Sequence, residues 1–143
     1  GAYKVRDLVA EAGAGVQTHT DWWGYKDEAC DAIPYAIKML MDEGVLVDIC
    51  SDSEDHIRRL NREAAKVIKY SGISEDEALK LITINPARIL EIDDRTGSIE
   101  PGKDADIAIF DRHPLDSFSK CVMTLIEGKV YFDINTADNM PLR

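Results

Sequence analysis

Asp52 is the side chain best placed to do chemistry in this sequence. It follows the apolar run Val45–Cys50, which is of strand type, and precedes a long helical pattern. In parallel α/β barrels the side chains at the carboxyl ends of strands surround the site, and a carboxylate there can accept a proton. The alternative is a helix cap, which Ser51, Ser53 or Asp55 could supply instead. Asp52 is therefore a candidate catalytic residue.

A second group of candidates lies around the run Val16–Thr20, which alternates and is rich in β-branched residues, as a strand should be. His19 and Asp21 are two residues apart and so share a face, which would allow a ligand pair. A hydrogen-bonded structural histidine is the alternative for His19. The aromatic residues Trp22 and Tyr25 follow, either as a wall for a substrate side chain or as packing against a neighbouring loop.

The two strand-like runs are joined by one helical pattern. Its apolar stripe ends before Glu43-Gly44 and comprises Ala32, Ile33, Ala36, Ile37, Leu40 and Met41. Pro34 is expected in the first turn of this helix, where a missing N–H costs nothing. Strand, helix and strand with short joints predict a βαβ unit with parallel pairing and a right-handed crossover.

Three further helical features follow Asp52. A helix is expected to end at Gly72, and Ser74 with Glu77 forms a capping box for the next one. Asn85 is expected to cap a third helix, with Pro86 at its first helical position. The pattern thus predicts helices up to about residue 92.

From Asp93 onward the sequence changes to short strands and turns. Ile107–Phe110 reads as a strand, and Val122–Ile126 with Val130–Phe132 predicts a hairpin. The residues after Asp133 are polar and are expected to fray. The sequence therefore divides into an α/β part, residues 1–92, and a β-rich part, residues 93–143.

The segment GSIEPGKDADIAIFD, residues 97–111, is the most specific motif in the chain. A carboxylate at the end of a buried strand, followed by this segment, resembles the C-terminal part of the amidohydrolase superfamily. Those enzymes are metal-dependent hydrolases built on a (β/α)8 barrel. The motifs Asp21-Trp22-Trp23, Ser51-Asp52 and Arg58-Arg59-Leu60-Asn61 resemble the imidazolonepropionase-like or prolidase-like branch.

The resemblance implies an α/β fold: the C-terminal portion of a (β/α)8 metal-dependent hydrolase barrel, followed by the C-terminal share of a small β-sandwich domain. Residues 1–92 would form the last two β/α units and the terminal helices. The implied reaction is hydrolysis of a carbon–nitrogen bond in an amide, a cyclic amide or a short peptide-like substrate. Asp52 would bind the metal and handle the proton of the attacking water. His19, Trp22 and Tyr25 would contact substrate at the rim.

The chain departs from the family pattern in its histidines. The family's other ligands are a His-x-His pair, a carboxylated lysine or an acid, and two further histidines, whereas this chain has only His19, His56 and His113. A zinc site needs at least three protein ligands, so one aspartate cannot hold the one or two zinc ions of a complete enzyme. We therefore expect the chain alone to be inactive. It should self-associate or pair with the missing N-terminal part, because open strand edges recruit other chains.

A rival interpretation is a non-catalytic binding or assembly module that reuses the same scaffold. It would explain the missing histidines without invoking truncation. The sequence alone does not separate the two interpretations.

Composition excludes several other classes. With 17 basic and 27 acidic residues the net charge is −10, which disfavours nucleic acid and anionic lipid as partners. The sequence has no run of eighteen apolar residues that would span a membrane. Three unclustered cysteines argue against a disulfide framework, and Cys50 within the apolar run reads as a small core residue. The start carries no secretory pattern, but for a C-terminal piece this leaves the compartment open.

Overall fold

The computed structural model describes residues 1–136 of the 143-residue chain. The helices are α1 (Arg6–Glu11), α2 (Ala36–Asp42), α3 (Leu60–Ser71), α4 (Glu75–Lys80) and α5 (Ile84–Ile89), with 3₁₀ turns at Ala2–Val5, Asp27–Ala29 and His56–Arg59. The strands are β1 (Val16–Thr18), β2 (Val47–Ile49), β3 (Ile107–Phe110), β4 (Cys121–Ile126) and β5 (Lys129–Asp133). The fraying expected after Asp133 does not begin there, because the Ile134 N–H donates to Val122 O and the Thr136 N–H donates to Asp133 O; the rest of that segment lies outside the described residues.

The predicted βαβ unit is confirmed. Strands β1 and β2 pair in parallel, with Val16 opposite Val47 and Thr18 opposite Ile49, and α2 forms the crossover between them. Both strands are shorter than the apolar runs that predicted them. Their parallel pairing places the carboxyl ends of β1 and β2 side by side, which is the arrangement that can build a site.

One hydrophobic core holds this unit together. The predicted stripe of α2 supplies Ile37 and Leu40, which are almost fully buried and pack in one cluster with Val47 and Ile49 of β2. Helix α3 adds Val67 to the same cluster. Because Val47 and Ile49 face this core, the residues that alternate with them along β2 must face the opposite side of the sheet.

The helix ends follow the predicted signals in two places. Gly72 has φ of 67° at the end of α3, and its N–H donates to Ile68 O. Ser74 and Glu77 form the capping box of α4, with Ser74 Oγ accepting from the Glu77 N–H and the Glu77 carboxylate accepting from the Ser74 N–H. Both features are determined by residues next to each other in sequence.

The prediction for Asn85 and Pro86 was wrong. Helix α5 begins at Ile84 with Thr83 as its N-cap, so Asn85 lies inside the helix and Pro86 is its third residue. The Asn85 side-chain amide donates instead to Val47 O at 2.8 Å. This bond satisfies a β2 carbonyl on the edge away from β1, and Pro86 still falls among the first four residues, whose N–H groups have no partner within the helix.

Pro34 also lies outside the helix that it was expected to begin. Helix α2 begins at Ala36, whose N–H donates to Ile33 O at 3.0 Å and so closes a turn with Pro34 at its second position. Tyr35, with φ of −90° and ψ of −7°, has the geometry of the third position of a type I turn. Proline fits the second position because its ring fixes φ near the required value.

The β-rich part forms one antiparallel sheet in the order β3-β4-β5. The predicted hairpin between β4 and β5 is confirmed, and its turn residues Glu127 and Gly128 have φ of 49° and 73°, as a type I′ turn requires. Leu115 packs into the core of the α/β part, and Asn61 Nδ2 donates to Pro114 O at 2.6 Å. The division at residue 92 stays a prediction.

Among residues 1–136, no helix combines the length and the apolar character that crossing a bilayer would require.

Candidate active site

Asp52 lies just beyond β2 in a turn that leaves its carboxylate available. Its φ of 41° is left-handed, a conformation that Asp tolerates better than most residues. The turn is closed by Ser53, whose Oγ accepts hydrogen bonds from the N–H groups of Asp55 and His56 at 3.3 and 3.4 Å. The Asp52 side chain is 71% exposed. The Ser53 hydroxyl therefore closes the turn, although neither the 3₁₀ turn at His56–Arg59 nor α3 has a side-chain cap.

His19 is the side chain that the fold brings to Asp52. The β1–β2 ladder continues past its last pair, with the Cys50 N–H donating to Thr18 O at 3.1 Å, so the carboxyl ends of the two strands stay adjacent. His19 Nε2 lies 3.3 Å from Asp52 Oδ2, and His19 Nδ1 lies 3.3 Å from Cys50 O. The imidazole thus spans the gap between the two strand ends.

Trp22 holds the imidazole from one side. Its ring stacks on His19 with centroids 4.0 Å apart and an interplanar angle of 6°. Tyr25 and His56 meet the Trp22 ring edge-on at 5.3 and 5.5 Å. Trp22 is partly buried, whereas Tyr25 is 71% exposed. The aromatic loop therefore has an inner residue that positions His19 and an outer residue that is free to contact a ligand.

Cys50 was predicted to be a small core residue, and that prediction was wrong: its thiol lies at the site. It is partly buried and lies outside the hydrophobic core, because Val47 and Ile49 take the core face and Cys50 takes the other. Its Sγ lies 3.4 Å from His19 Nδ1 and 3.8 Å from Nε2. Burial, together with the nearby Asp52 and Asp48 carboxylates, raises the pKa of the thiol to about 11. The signal available in the sequence was the i, i+2 spacing of Cys50 and Asp52.

Asp21 does not form the ligand pair with His19 that the spacing allowed. Its Oδ1 accepts from Lys66 Nζ at 3.1 Å, and Lys66 also pairs with Glu63 at 2.9 Å. The chain has already turned away after β1, with Thr20 buried and its Oγ1 donating to Glu63 O at 3.4 Å. Asp21 thus anchors the loop to α3, while His19 alone faces Asp52.

The other two histidines lie in different settings. His56 contacts the site only through the edge of the Trp22 ring. His113 belongs to the β-rich part, where its Nε2 lies 3.6 Å from a Glu75 carboxylate oxygen and its Nδ1 accepts from the Leu115 N–H at 3.4 Å. His113 therefore serves a turn of the β-rich part.

Asp48 is a buried carboxyl on the same face as Cys50. It is 1% exposed, and its Oδ2 accepts from Gln17 Nε2 at 3.3 Å, whereas Oδ1 has no hydrogen-bond partner within the described part of the chain. Burial raises the pKa of the Asp48 carboxyl, and the bond from Gln17 opposes that rise only in part. No local sequence pattern indicated this burial, because Asp48 stands within an otherwise apolar run.

The Asp48 carboxyl should make the stability of this chain depend on pH. A pKa raised by folding means that the folded chain holds the proton more tightly than the unfolded chain. The contribution of Asp48 to the free energy of unfolding is therefore greatest below the unfolded pKa of about 3.9 and is lost as the pH rises through the folded pKa. Asp48→Asn should raise the melting temperature at pH 7 and remove this pH dependence, because a neutral amide replaces a buried charge. Thermal melts of both proteins from pH 4 to 8, in chelator, measure it.

The control for Asp48→Asn is Asp55→Asn, which removes the charge of an exposed carboxylate. Asp55→Asn should leave the pH dependence unchanged. Equal melting temperatures for wild type and Asp48→Asn at every pH would contradict this prediction, because they would show that the Asp48 carboxyl does not lower the stability of the folded chain when the pH rises.

A cleft of about 460 Å³ opens beside the two strand ends. His19, Trp22 and Asp52 line it, together with Lys26 and Tyr3 from the neighbouring loops. One ligand atom each from His19, Cys50 and Asp52 lies within 4.8 Å of the others. Nitrogen, sulfur and oxygen donors of these types are those that zinc accepts in proteins, so the residues present fit a divalent metal of that kind.

The comparison with known sequences identifies the family of this chain. The sequence model of the Amidohydrolase family matches residues 28–133. The chain is 30% identical over 141 residues to the N-substituted formamide deformylase of Arthrobacter pascens, and 51% identical over 53 residues to the imidazolonepropionase of Picrophilus torridus. The chain belongs to the amidohydrolase family.

The solved structures show the same relationship. An amidohydrolase from Thermotoga maritima MSB8 superposes with a TM-score of 0.79 and 34% identity, over 92% of this chain and 35% of that one. This confirms the fold class, an α/β portion of a (β/α)8 metal-dependent hydrolase barrel followed by strands of a small β-domain.

The matches cover only part of each relative. They span 89% of this chain but 26% of the formamide deformylase, and 37% of this chain but 13% of the imidazolonepropionase.

Proposed function

We propose that this chain is the Asp52-bearing section of a metal-dependent hydrolase that acts on carbon–nitrogen bonds. The observation that carries the proposal is the Asp52 carboxylate at the end of a parallel strand, next to the turn that Ser53 closes and open to a cleft. The names of two relatives, a formamide deformylase and an imidazolonepropionase, support a substrate of the amide or cyclic amide class. A short peptide-like substrate belongs to the same chemical class.

Asp52 would act on the water that attacks the substrate. A divalent ion, with zinc as the proposed metal, would supply a water of lowered pKa, about 7 in known zinc enzymes. The Asp52 carboxylate accepts a proton from the attacking water and returns it to the leaving nitrogen, which departs as an amine or amide N–H. Trp22 keeps the neighbouring imidazole in place through its stacked ring. One carboxylate therefore serves both proton transfers.

The proposal requires further ligands outside this chain for a complete catalytic centre. A one-ion or two-ion site of the family's type uses histidines that the sequence does not contain. The reading frame upstream of Gly1 tests this directly. A frame that encodes a His-x-His pair supports the hydrolase, and a start codon at this point supports the rival non-catalytic binding or assembly module.

Turnover is the second test of the proposed function. The complete protein, expressed from the full reading frame, is assayed against an N-substituted formamide, a cyclic amide and a proline dipeptide, with release of amine or acid as the readout. Hydrolysis of at least one of them supports the proposal. Binding of these compounds without hydrolysis, by a protein that carries stoichiometric metal, would favour the binding module.

Tyr25 is proposed to contact the substrate side chain. Because Tyr25 is largely exposed, Tyr25→Ala should alter the ratio of kcat/KM values between two amide substrates of different size while leaving the melting temperature and metal content unchanged. Tyr131→Ala, which removes an exposed tyrosine of β5, is the matched control and should change neither quantity. Equal slowing of all substrates by Tyr25→Ala, with a lower melting temperature, would mean that Tyr25 only packs.

A further inference from the structure

We propose that His19, Cys50 and Asp52 together form a three-ligand site for one zinc-like divalent cation, carried entirely by this chain. Any catalytic role of this site rests on the proposed function, because Asp52 would belong both to this site and to the hydrolytic centre. It also goes beyond the resemblance to the family. Among the residues of this chain, that resemblance makes only Asp52 a metal ligand and gives His19 and Cys50 no ligand role.

The distances match those of a tetrahedral zinc site. Zinc bonds of about 2.0–2.1 Å to nitrogen, 2.0–2.2 Å to oxygen and 2.3 Å to sulfur place the ligand atoms roughly 3.4 Å (N···O) and 3.6 Å (N···S) apart. In the structure His19 Nε2 lies 3.3 Å from Asp52 Oδ2 and 3.8 Å from Cys50 Sγ. The third separation, sulfur to carboxylate, lies within 4.8 Å, and the exposed Asp52 side chain can rotate to shorten it.

The His19 ring is oriented as a metal ligand needs to be. Histidines that bind metals usually donate their second ring N–H to a carbonyl or a carboxylate, which fixes the tautomer. His19 Nδ1 lies 3.3 Å from Cys50 O, so the Nδ1–H tautomer can donate to this carbonyl. Trp22 stacked on the ring fixes its plane. Nε2 then faces Asp52, while Cys50 Sγ lies beside the ring, 3.4 Å from Nδ1 and 3.8 Å from Nε2, so a rotation of the Cys50 side chain would bring the sulfur to an ion bound at Nε2.

Charge explains why a cation belongs there. His19 Nε2 and Asp52 Oδ2 lie 3.3 Å apart, with the Cys50 thiol beside them, so a cation between the three groups would be bound by a nitrogen, an oxygen and a sulfur. A Zn²⁺ ion would displace the Cys50 thiol proton to solvent, and the two charges of the thiolate and carboxylate would balance those of the ion.

Three protein ligands leave the fourth tetrahedral position open. In zinc sites an open fourth position holds water or substrate, whereas a closed four-ligand site is structural. His19 and Asp52 line the 460 Å³ cleft, so the fourth position would face it. The geometry thus gives His19 a role as a ligand, in place of the rim contact predicted from sequence.

Cobalt binding by the 143-residue chain tests the site. Co²⁺ replaces Zn²⁺ in such sites, and a thiolate ligand produces a strong charge-transfer absorption in the near ultraviolet. We expect one Co²⁺ per chain with this absorption. Cys50→Ser should abolish the absorption, and Asp52→Asn or His19→Gln should weaken binding at least about tenfold. Cys121→Ser, which changes a partly buried thiol in β4, is the control and should leave both absorption and affinity unchanged.

A measurement on the unmodified chain guards against a variant that fails to fold. Thiol alkylation is followed for each cysteine by mass spectrometry, with and without one equivalent of Zn²⁺. Zinc should protect Cys50 and leave the exposed Cys30 as reactive as before. The proposal is overturned if no charge-transfer absorption develops, if the absorption survives Cys50→Ser, or if zinc leaves the alkylation of Cys50 unchanged. Those results would mean that His19 and Asp52 only pair with each other and bind no ion.

The outcomes separate this site from the proposed function. Cobalt binding by the chain requires no turnover, so a complete protein that lacks hydrolytic activity while the absorption persists would refute the function and keep the site. Conversely, an active complete enzyme in which Cys50 stays reactive in the presence of zinc would refute the site and keep the function.

Discussion

Replacing Asp52 with asparagine in the complete enzyme is expected to lower kcat by about 10²–10⁴ while the fold is kept, because one positioned general acid/base typically contributes that much. Asparagine has nearly the same shape, but its amide neither accepts the proton of the attacking water nor delivers one to the leaving nitrogen. The loss should therefore appear in kcat and not in KM alone. Steady-state kinetics with an amide substrate, together with a thermal melt, measure both effects.

Asp55→Asn is the matched control for this substitution. It removes the same charge three residues away, from an exposed side chain in the turn that Ser53 closes. It should leave kcat within a factor of about two of wild type, since surface substitutions away from special features have small effects. An Asp52→Asn enzyme within a few-fold of wild type would remove Asp52 from the mechanism.

The 143-residue chain alone is expected to hydrolyse no amide and to associate with itself. Within the described residues, β3 and β5 each have one paired edge only, and open edges recruit further strands. Several large apolar side chains are also more than half exposed: Leu8, Leu90, Ile99, Phe118, Val130 and Tyr131. Burial of this surface against a second copy is favourable by about 25 cal/mol per Å² of apolar area.

Sedimentation velocity on the purified chain measures the association, and an amide assay on the same sample measures activity. We expect species larger than one chain and no turnover above the rate of the buffer. Adding the upstream portion of the complete protein should convert these species into a defined complex with activity. A monodisperse monomer that hydrolyses an amide by itself would contradict both expectations.

The local part of the architecture could be predicted from the sequence. The apolar stripe of α2 and the flanking strand-like runs determine the βαβ unit, and the Ser74–Glu77 capping box depends on residues three apart. The position of Asp52 at a strand end followed from the same periodicity. These features rest on contacts between residues that are close in the chain or repeat at a fixed period.

The rest depended on contacts between residues far apart in sequence. Cys50 meets His19 only because the register sets Thr18 opposite Ile49, and no local pattern fixes that register. Asn85 lies inside α5 and not at its expected capping position, because its side-chain amide donates a hydrogen bond to the Val47 carbonyl of β2. Asp48 stands within an apolar run, so its burial could not be predicted from the local pattern. Alternation along β2 places its side chain on the face opposite the core.

Metal removal from the complete enzyme tests whether its hydrolysis of amides depends on a bound divalent ion. Turnover of an amide substrate is measured before dialysis against a chelator, after it, and after addition of Zn²⁺ back to the dialysed protein. We expect the activity to disappear with the metal and to return with zinc, because the water proposed to give its proton to Asp52 would need the lowered pKa that the ion provides. Turnover that continues unchanged in a protein shown to contain no metal would contradict it.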